Sequence, residues 1–402
     1  MRRVGRPDPR RGDGVGNMIK ALAGLRVVDF TTTIAGPHCT RLLADLGAEV
    51  VKIEAPEGDV MRSRPPLRNG ASSYFGQLNA GKHSVVLDLK QERAVAAARR
   101  LAAQADILVE NYRPGVMRRL GLDFPVLEQA NPRLVYCSIS GYGQTGPSSE
   151  LPAYAPVIHA TSGYELAHLA YQRGRSQPDN CGIYVADVIT GTYAFGAIAT
   201  ALHQRRTTGR GQHIDVSMLE SMLSLTLTEL QTAQFEMPPP ARRPMFGPVA
   251  TADGYLNMAV VSERTFRGLA AAAGRPDWIS DPRFAFYLSR RANWGVLMDE
   301  FEIWSRRLTT PECLAVLDRH AVPAAAYRTV REAMADPQLA HRGAFAVVSD
   351  AGGQFRALNP PFRMSATVLA AGARAPALGE HTREVLAAAG LHETEIDALM
   401  NR

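Results

Sequence analysis

One stretch near the start of the chain constrains the fold more than any other. Residues 25–30, Leu-Arg-Val-Val-Asp-Phe, read as a short buried strand that breaks into Thr31-Thr32-Thr33-Ile34-Ala35-Gly36-Pro37. A helix is expected over 38–46, with Leu42, Leu43 and Leu46 on one side and Gly47 as its stop. Residues 49–54 form the next strand, ended by Pro56 and Gly58. Strand, helix and strand in about 30 residues make a βαβ unit, which requires a parallel sheet and a right-handed crossover. The pattern recurs: strand 84–89, helix 91–103, strand 107–109, strand 134–139. This is the signature of a doubly wound α/β domain. The first strand-helix turn has no GxGxxG, which disfavours a nicotinamide or flavin dehydrogenase.

Further along, residues 187–205 read as a long helix dense in Gly and Ala, 213–216 as a strand and 217–236 as a second helix. Pro238-Pro239-Pro240, with Arg242, Arg243 and Pro244, reads as a linker. Beyond it the pattern becomes α+β. A turn at Asp253-Gly254 precedes strand 255–260, helices 265–273, 290–306 and 310–319, a strand at 324–327 and a short helix at 330–335. Strands return at 345–348 and 354–356, and a helix at 382–388 closes the pattern. The expected division is a flexible basic tail (1–20), a large α/β domain (21–236), a linker (237–245), a smaller α+β domain (246–343) and a return to the large domain (344–402).

Composition excludes several classes. The chain has 402 residues, 46% apolar and 21% charged, which suits a globular protein of two or three domains. The best apolar stretch, 193–202, is short, rich in Ala and Gly, and soon followed by Arg205 and Arg206, so no membrane anchor is expected. The net charge of +6 is concentrated partly in Arg2, Arg3, Arg6, Arg10 and Arg11. That tail lacks the apolar run of a secretory signal, and no aromatic interleaving marks a nucleic-acid binder. The four cysteines, Cys39, Cys137, Cys181 and Cys313, contain no CxxC pair and read as reduced thiols of a cytoplasmic protein. No metal site and no nucleic-acid partner are expected.

The opening from Gly24 to Asp59, GLRVVDFTTTIAGPHCTRLLADLGAEVVKIEAPEGD, strongly resembles the family III CoA-transferases. This is the CaiB/BaiF group that includes formyl-CoA transferase and the α-methylacyl-CoA racemases. Matching motifs follow in order: LNAGKHS (78–84), VENYRPG (109–115), NPR (131–133), SGYG (140–143), TGRGQ (208–212), DPRF (281–284), VPA (322–324) and LGEHT (378–382). Their number, order and spacing cover about residues 22–390. The resemblance implies a doubly wound large domain built from both chain ends, a smaller inserted domain, and an obligate interlocked homodimer.

The resemblance also implies an aspartate nucleophile that attacks the donor thioester and forms a mixed anhydride. The matching residue is Asp187, in GIYVADVITG. The plainer reading of an Asp at a helix entry is an N-cap, and the two roles are compatible. Thr33, Ile34 and Ala35 match the family's CoA-facing loop, although Ile34 replaces its typical glutamine. Asn111 and Tyr112 match the pair near pantetheine, Arg119 an arginine of the CoA pocket, and Lys82 and His83 basic groups near the nucleotide. Tyr154 stands where the racemase branch needs histidine, with His159 offset by five residues. Tyrosine is a poor general base, so CoA transfer is favoured over racemisation or a non-catalytic CoA-binding role. The implied donor is an acyl-CoA thioester, succinyl-CoA foremost, as substrate rather than a tightly bound cofactor. The glycine-rich loop of formyl specialists is missing, so the expected acceptor is a dicarboxylate of four or five carbons. Arg173 and Arg175 are candidates to receive its distal carboxylate, with His38, Arg64 and Arg68 as rivals.

Overall fold

The structure is a computed structural model that describes residues 20–172, 174–235 and 246–400. The expected linker and all of the expected tail but Lys20 lie outside the described residues. The chain divides into two compact units. The first holds the chain up to His159, then Ile183–Ser224, then Ala340 onward; the second holds Ala160–Gly182 and Leu225–Leu339. The expectation of an unbroken first segment to residue 236 is therefore corrected. At the end of that segment the reason is local. The expected helix 217–236 is two helices, Met218–Leu223 and Leu227–Thr232. Between them the Ser224 hydroxyl donates to the Ser221 carbonyl at 2.7 Å, a local bond that competes with helix continuation.

The first unit is built on six parallel strands: β1 (Arg26–Asp29), β2 (Glu49–Glu54), β3 (His83–Val86), β4 (Ile107–Glu110), β5 (Val135–Ser140) and β6 (Gln212–Ser217). Their order across the sheet is β3-β2-β1-β4-β5-β6. Val27 pairs with Val50 on one side and with Ile107 on the other. The inner strands β1, β2, β4 and β5 are buried on both faces because both faces are covered. Helices α1 (Ala35–Asp45) and, later in the chain, α6 (Val185–Thr208) pack on one face against Val27, Val109, Cys137 and Ile139. Helix α3 (Glu92–Ala103) covers the other, with Val28, Phe30, Leu108 and Tyr136 beneath it. Helix α2 (Ser73–Asn79) lies between β2 and β3 in the chain, and α4 (Val116–Arg119) and α5 (Phe124–Ala130) lie between β4 and β5. Among the described residues, α6 alone is long and apolar enough by length and composition to cross a membrane.

The unit is completed from the far end of the chain. The hairpin Phe345–Asp350 and Gly353–Leu358 precedes the helix Thr382–Ala388 and a second helix, Glu393–Met400, which was not expected. These helices bring Val385, Leu386 and Ile396 into the same core as Val28 and Leu101.

The second unit carries a small antiparallel sheet in which Tyr255–Met258 lies between Val249–Ala250 and Ala324–Ala326. Trp278, Phe284 and Phe301 fill its core. The expected turn at Asp253-Gly254 is present, and Asp253 Oδ1 accepts the Thr310 N–H at 2.7 Å. The expected helix 290–306 is interrupted at Asn293 into Tyr287–Ala292 and Trp294–Ser305.

Candidate active site

The chain winds outward from β1 through β2 to β3, then resumes at β4 and winds the other way. The carboxyl ends of β1 and β4 thus flank the switch point, where open α/β sheets bind ligands. The loops leaving these strands are residues 30–34 and 111–115, and one side chain joins them. Asn111 Oδ1 accepts the Thr32 N–H at 2.8 Å, and its Nδ2 donates to the Thr32 carbonyl at 2.9 Å.

Buried charge holds the first loop from below. Lys52 Nζ donates to the Thr31 carbonyl at 2.6 Å and pairs with Asp59 at 2.9 Å. Asp59 Oδ1 in turn faces the Thr33 N–H at 3.4 Å. Asp29 accepts from the Thr31 and Thr40 hydroxyls and from Lys82. Burial works to raise the Asp29 pKa, but Lys82, Lys52 and the two hydroxyls outweigh it and bring it to about 2. The network keeps Thr33 at φ 63°, a left-handed conformation that costs a β-branched residue on the order of 1–3 kcal/mol. At Gly36 an added Cβ would lie 2.3 Å from Thr31 Cβ, so only glycine lets α1 begin this close to the loop.

Asp187 lies in the first turn of α6, whose N-cap is Tyr184. The plainer reading of Asp187 as the N-cap is thereby corrected. The residue is 8% exposed. Burial pushes its pKa up to about 6, and the Ala35 backbone N–H opposes that rise. The carboxylate is thus largely ionised at neutral pH, and the positive end of α6 favours that form. It opens into a cavity of about 240 Å³ lined by Thr32, Thr33, Ala35, Asn111, Tyr112 and Tyr154, among others. Six sequence-predicted residues therefore meet around one space: Asp187, Thr33, Ala35, Asn111, Tyr112 and Tyr154. Tyr154 is 67% exposed and stands at its edge.

Other expectations are corrected. Lys82 is 2% exposed, and its ammonium donates to Asp29, Thr40, Asn79 and the Pro37 carbonyl at 2.7–3.2 Å. It has no donor left for a nucleotide. His83 stacks on His381, ring centroids 4.5 Å apart, and belongs to the seam with the chain's last segment. Ile34 is buried and does not line the cavity. Burial, with Arg41 and Lys82 nearby, lowers His38 to about 4, so it is a neutral ring and no cationic carboxylate receiver. Arg68 is forked onto Asp350 at 2.9 and 3.0 Å and stacks over Phe355. Arg64 and Arg119 are exposed and do not line the cavity. Arg175 belongs to the second unit and pairs with Asp179 at 3.4 Å. Arg173 lies outside the described residues.

The structure adds Ser140 and Arg113, which the sequence reading passed over, and gives a structural part to His159, weighed there only as an offset racemase base. Ser140, at the end of β5, lines the cavity with a buried hydroxyl that has no hydrogen-bond partner among the described residues. Its place at a strand's carboxyl end was the available signal. His159 is buried, and its Nε2 accepts the Ala186 N–H at 3.1 Å, which fixes the turn that carries Asp187. Arg113 also lines the cavity. Tyr112 lines a second cleft of about 240 Å³, beside Pro56, Leu87 and Leu120.

Known proteins resemble the chain over most of its length. The family model described as CoA-transferase family III matches residues 22–382. A succinate–glutarate CoA-transferase from Agrobacterium fabrum is 34% identical over 386 residues, covering 91% of this chain and 95% of that protein. An acetyl-CoA:oxalate CoA-transferase from Acetobacter aceti is 37% identical over 328 residues, 79% of this chain and 84% of the other. Among solved structures, a CaiB/BaiF family protein from Brucella suis superposes with a TM-score of 0.79 at 32% identity, covering 92% and 99% of the two chains.

Proposed function

Because the chain belongs to the family III CoA-transferases, we propose that it moves CoA from succinyl-CoA to a small dicarboxylic acid of four or five carbons, with Asp187 as nucleophile. An Asp187 carboxylate oxygen attacks the thioester carbonyl, the C–S bond breaks, and CoA leaves as the thiolate from a mixed anhydride. The thiolate then attacks the aspartyl carbonyl of that anhydride, which frees the donor acid and leaves CoA on Asp187 as a thioester. The acceptor carboxylate displaces this thiolate to form a second anhydride. CoA attacks its acyl carbonyl, and Asp187 is regenerated as carboxylate. No net proton is consumed.

The observation that carries this reading is a buried, ionisable carboxylate at a helix start, facing a cavity at the sheet's switch point. The Ser140 hydroxyl is proposed to donate to the oxyanion that forms on the thioester carbonyl, since no described residue partners it. Thr33, Ala35, Asn111, Tyr112 and Tyr154 are proposed to hold pantetheine and acyl group. The cleft that shares Tyr112 leads the nucleotide end away, with exposed Arg119 toward the phosphates. A homodimer is part of the proposal. The α-methylacyl racemase reading is not favoured, since His159 has its Nε2 occupied by the Ala186 N–H.

Incubation with succinyl-CoA and hydroxylamine tests the covalent step. A hydroxamate on the peptide that contains Asp187 is expected, and Asp187→Ala should abolish both it and transfer. Full transfer by Asp187→Ala would refute the nucleophile.

A further inference from the structure

Asp187 and Arg113 are the two charged side chains among the residues that line the cavity. Arg113 is exposed, and among the described residues no carboxylate or aromatic ring pairs with its guanidinium. Its backbone is nevertheless fixed. Asn111 is clamped to Thr32, the Tyr112 N–H donates to Glu110 at 2.9 Å, and the Arg113 carbonyl accepts the Val116 N–H at 3.1 Å. Arg41 is committed to Asp45, Arg62 to Glu54 and Arg68 to Asp350, and the exposed Arg64 and Arg119 do not line the cavity. Arg118 faces Asp123 at 3.6 Å and lines only the neighbouring polar cavity. Arg113 lines both.

A diacid bound as its thioester has a neutral reacting end and a distal carboxylate. That carboxylate enters a space that already holds the Asp187 anion, so it needs a cation on the wall. A free guanidinium on a fixed backbone supplies one, in a fork that matches a carboxylate. We propose that Arg113 sets the preference for dicarboxylic over monocarboxylic acyl groups by pairing with the distal carboxylate. This rests on the transferase reading above, and it assigns to Arg113 the part that the sequence had given to Arg173, Arg175, Arg64, Arg68 or His38.

Matched acids of five carbons test it: glutarate against pentanoate as acceptors, with succinyl-CoA as donor, and binding of free CoA measured in parallel. Arg113→Ala is expected to lower kcat/KM for glutarate about 30-fold or more. Pentanoate should change by less than about threefold, so the diacid preference collapses. Arg113→Lys, which keeps the charge without the fork, should fall between. Equal losses for both acids, or a loss that appears as weaker binding of free CoA, would overturn the assignment and place Arg113 on CoA. If the unaltered enzyme transfers CoA to neither acid, the transferase reading falls and this inference with it. If it transfers CoA and the substitution leaves the ratio unmoved, the inference alone falls.

Discussion

The Asp187 side chain is held where water reaches it poorly, and that placement has an energetic sign. Burial raises its pKa to about 6 from the usual 3.8. The unfolded chain therefore gives up this proton more readily than the folded one. Ionised Asp187 costs stability above about pH 6, and the cost disappears below about pH 4. By that shift the cost at neutral pH is on the order of 2–3 kcal/mol. Asp187→Asn removes the charge at nearly constant volume. It is expected to abolish transfer and to raise the melting temperature at pH 7.5 but not at pH 4, as calorimetry at the two pH values would show. In the unaltered enzyme, kcat/KM for the donor should fall about tenfold per pH step below 6, as the nucleophile is protonated. An Asp187→Asn variant less stable than the parent at pH 7.5 would contradict this account. The motif around Asp187 marked it as the candidate nucleophile, and the structure adds its burial beside a cavity. Lys82, His38 and Arg68 were misread because a sequence gives residue type but not burial or partner. Lys82 is consumed by Asp29 and Arg68 by Asp350, residues 53 and 282 positions away.

At the scale of elements, α1 and α6 carry the site, and Gly191 sets how closely they meet. A Cβ added there would lie 2.4 Å from the Ala35 carbonyl oxygen and 3.1–3.2 Å from His38. The obstacle at Ala35 is backbone, so relief must come from moving α6 or the loop. Ala35 is the residue whose N–H faces Asp187. Gly191→Ala is expected to cost about 1–3 kcal/mol of stability and to lower kcat by more than it changes KM for CoA. Denaturant titration with steady-state kinetics would check both. An active variant of unchanged stability would show that the contact relaxes freely. The strands were legible because a doubly covered parallel sheet writes itself as apolar runs. The helix breaks at 224–226 and at Asn293 were not, because the 3.6 period continues across them. The helix Glu393–Met400 was missed because its buried contribution is chiefly Ile396.

For the whole molecule, the central sheet was readable from local pattern, but the return of the chain's end to the first unit came only from family resemblance. Long-range closure leaves little mark on local composition. The proposed homodimer belongs to this scale. Ile183, Val188 and Tyr193, at and near the start of α6, are 67%, 45% and 48% exposed, apolar side chains that the partner subunit of the proposed dimer would cover. Sedimentation equilibrium at micromolar concentration should give twice the 43.6 kDa chain mass, and Val188→Asp should shift it toward the single-chain value. A monomer at that concentration would exclude the dimer.

The seam between His83 and His381 also dictates when this protein can become whole. Ser84 and His381 are 297 positions apart, yet the Ser84 N–H donates to His381 Nδ1 at 3.2 Å. At roughly 5–20 residues per second, the ribosome needs roughly 15–60 s to supply the second partner after the first. Throughout that interval the core that holds Val28 of β1 and Leu101 of α3 lacks the contribution of Val385, Leu386 and Ile396. The nascent chain is thus expected to carry an incomplete apolar core for most of its synthesis, the kind of surface that chaperones of unfinished chains cover.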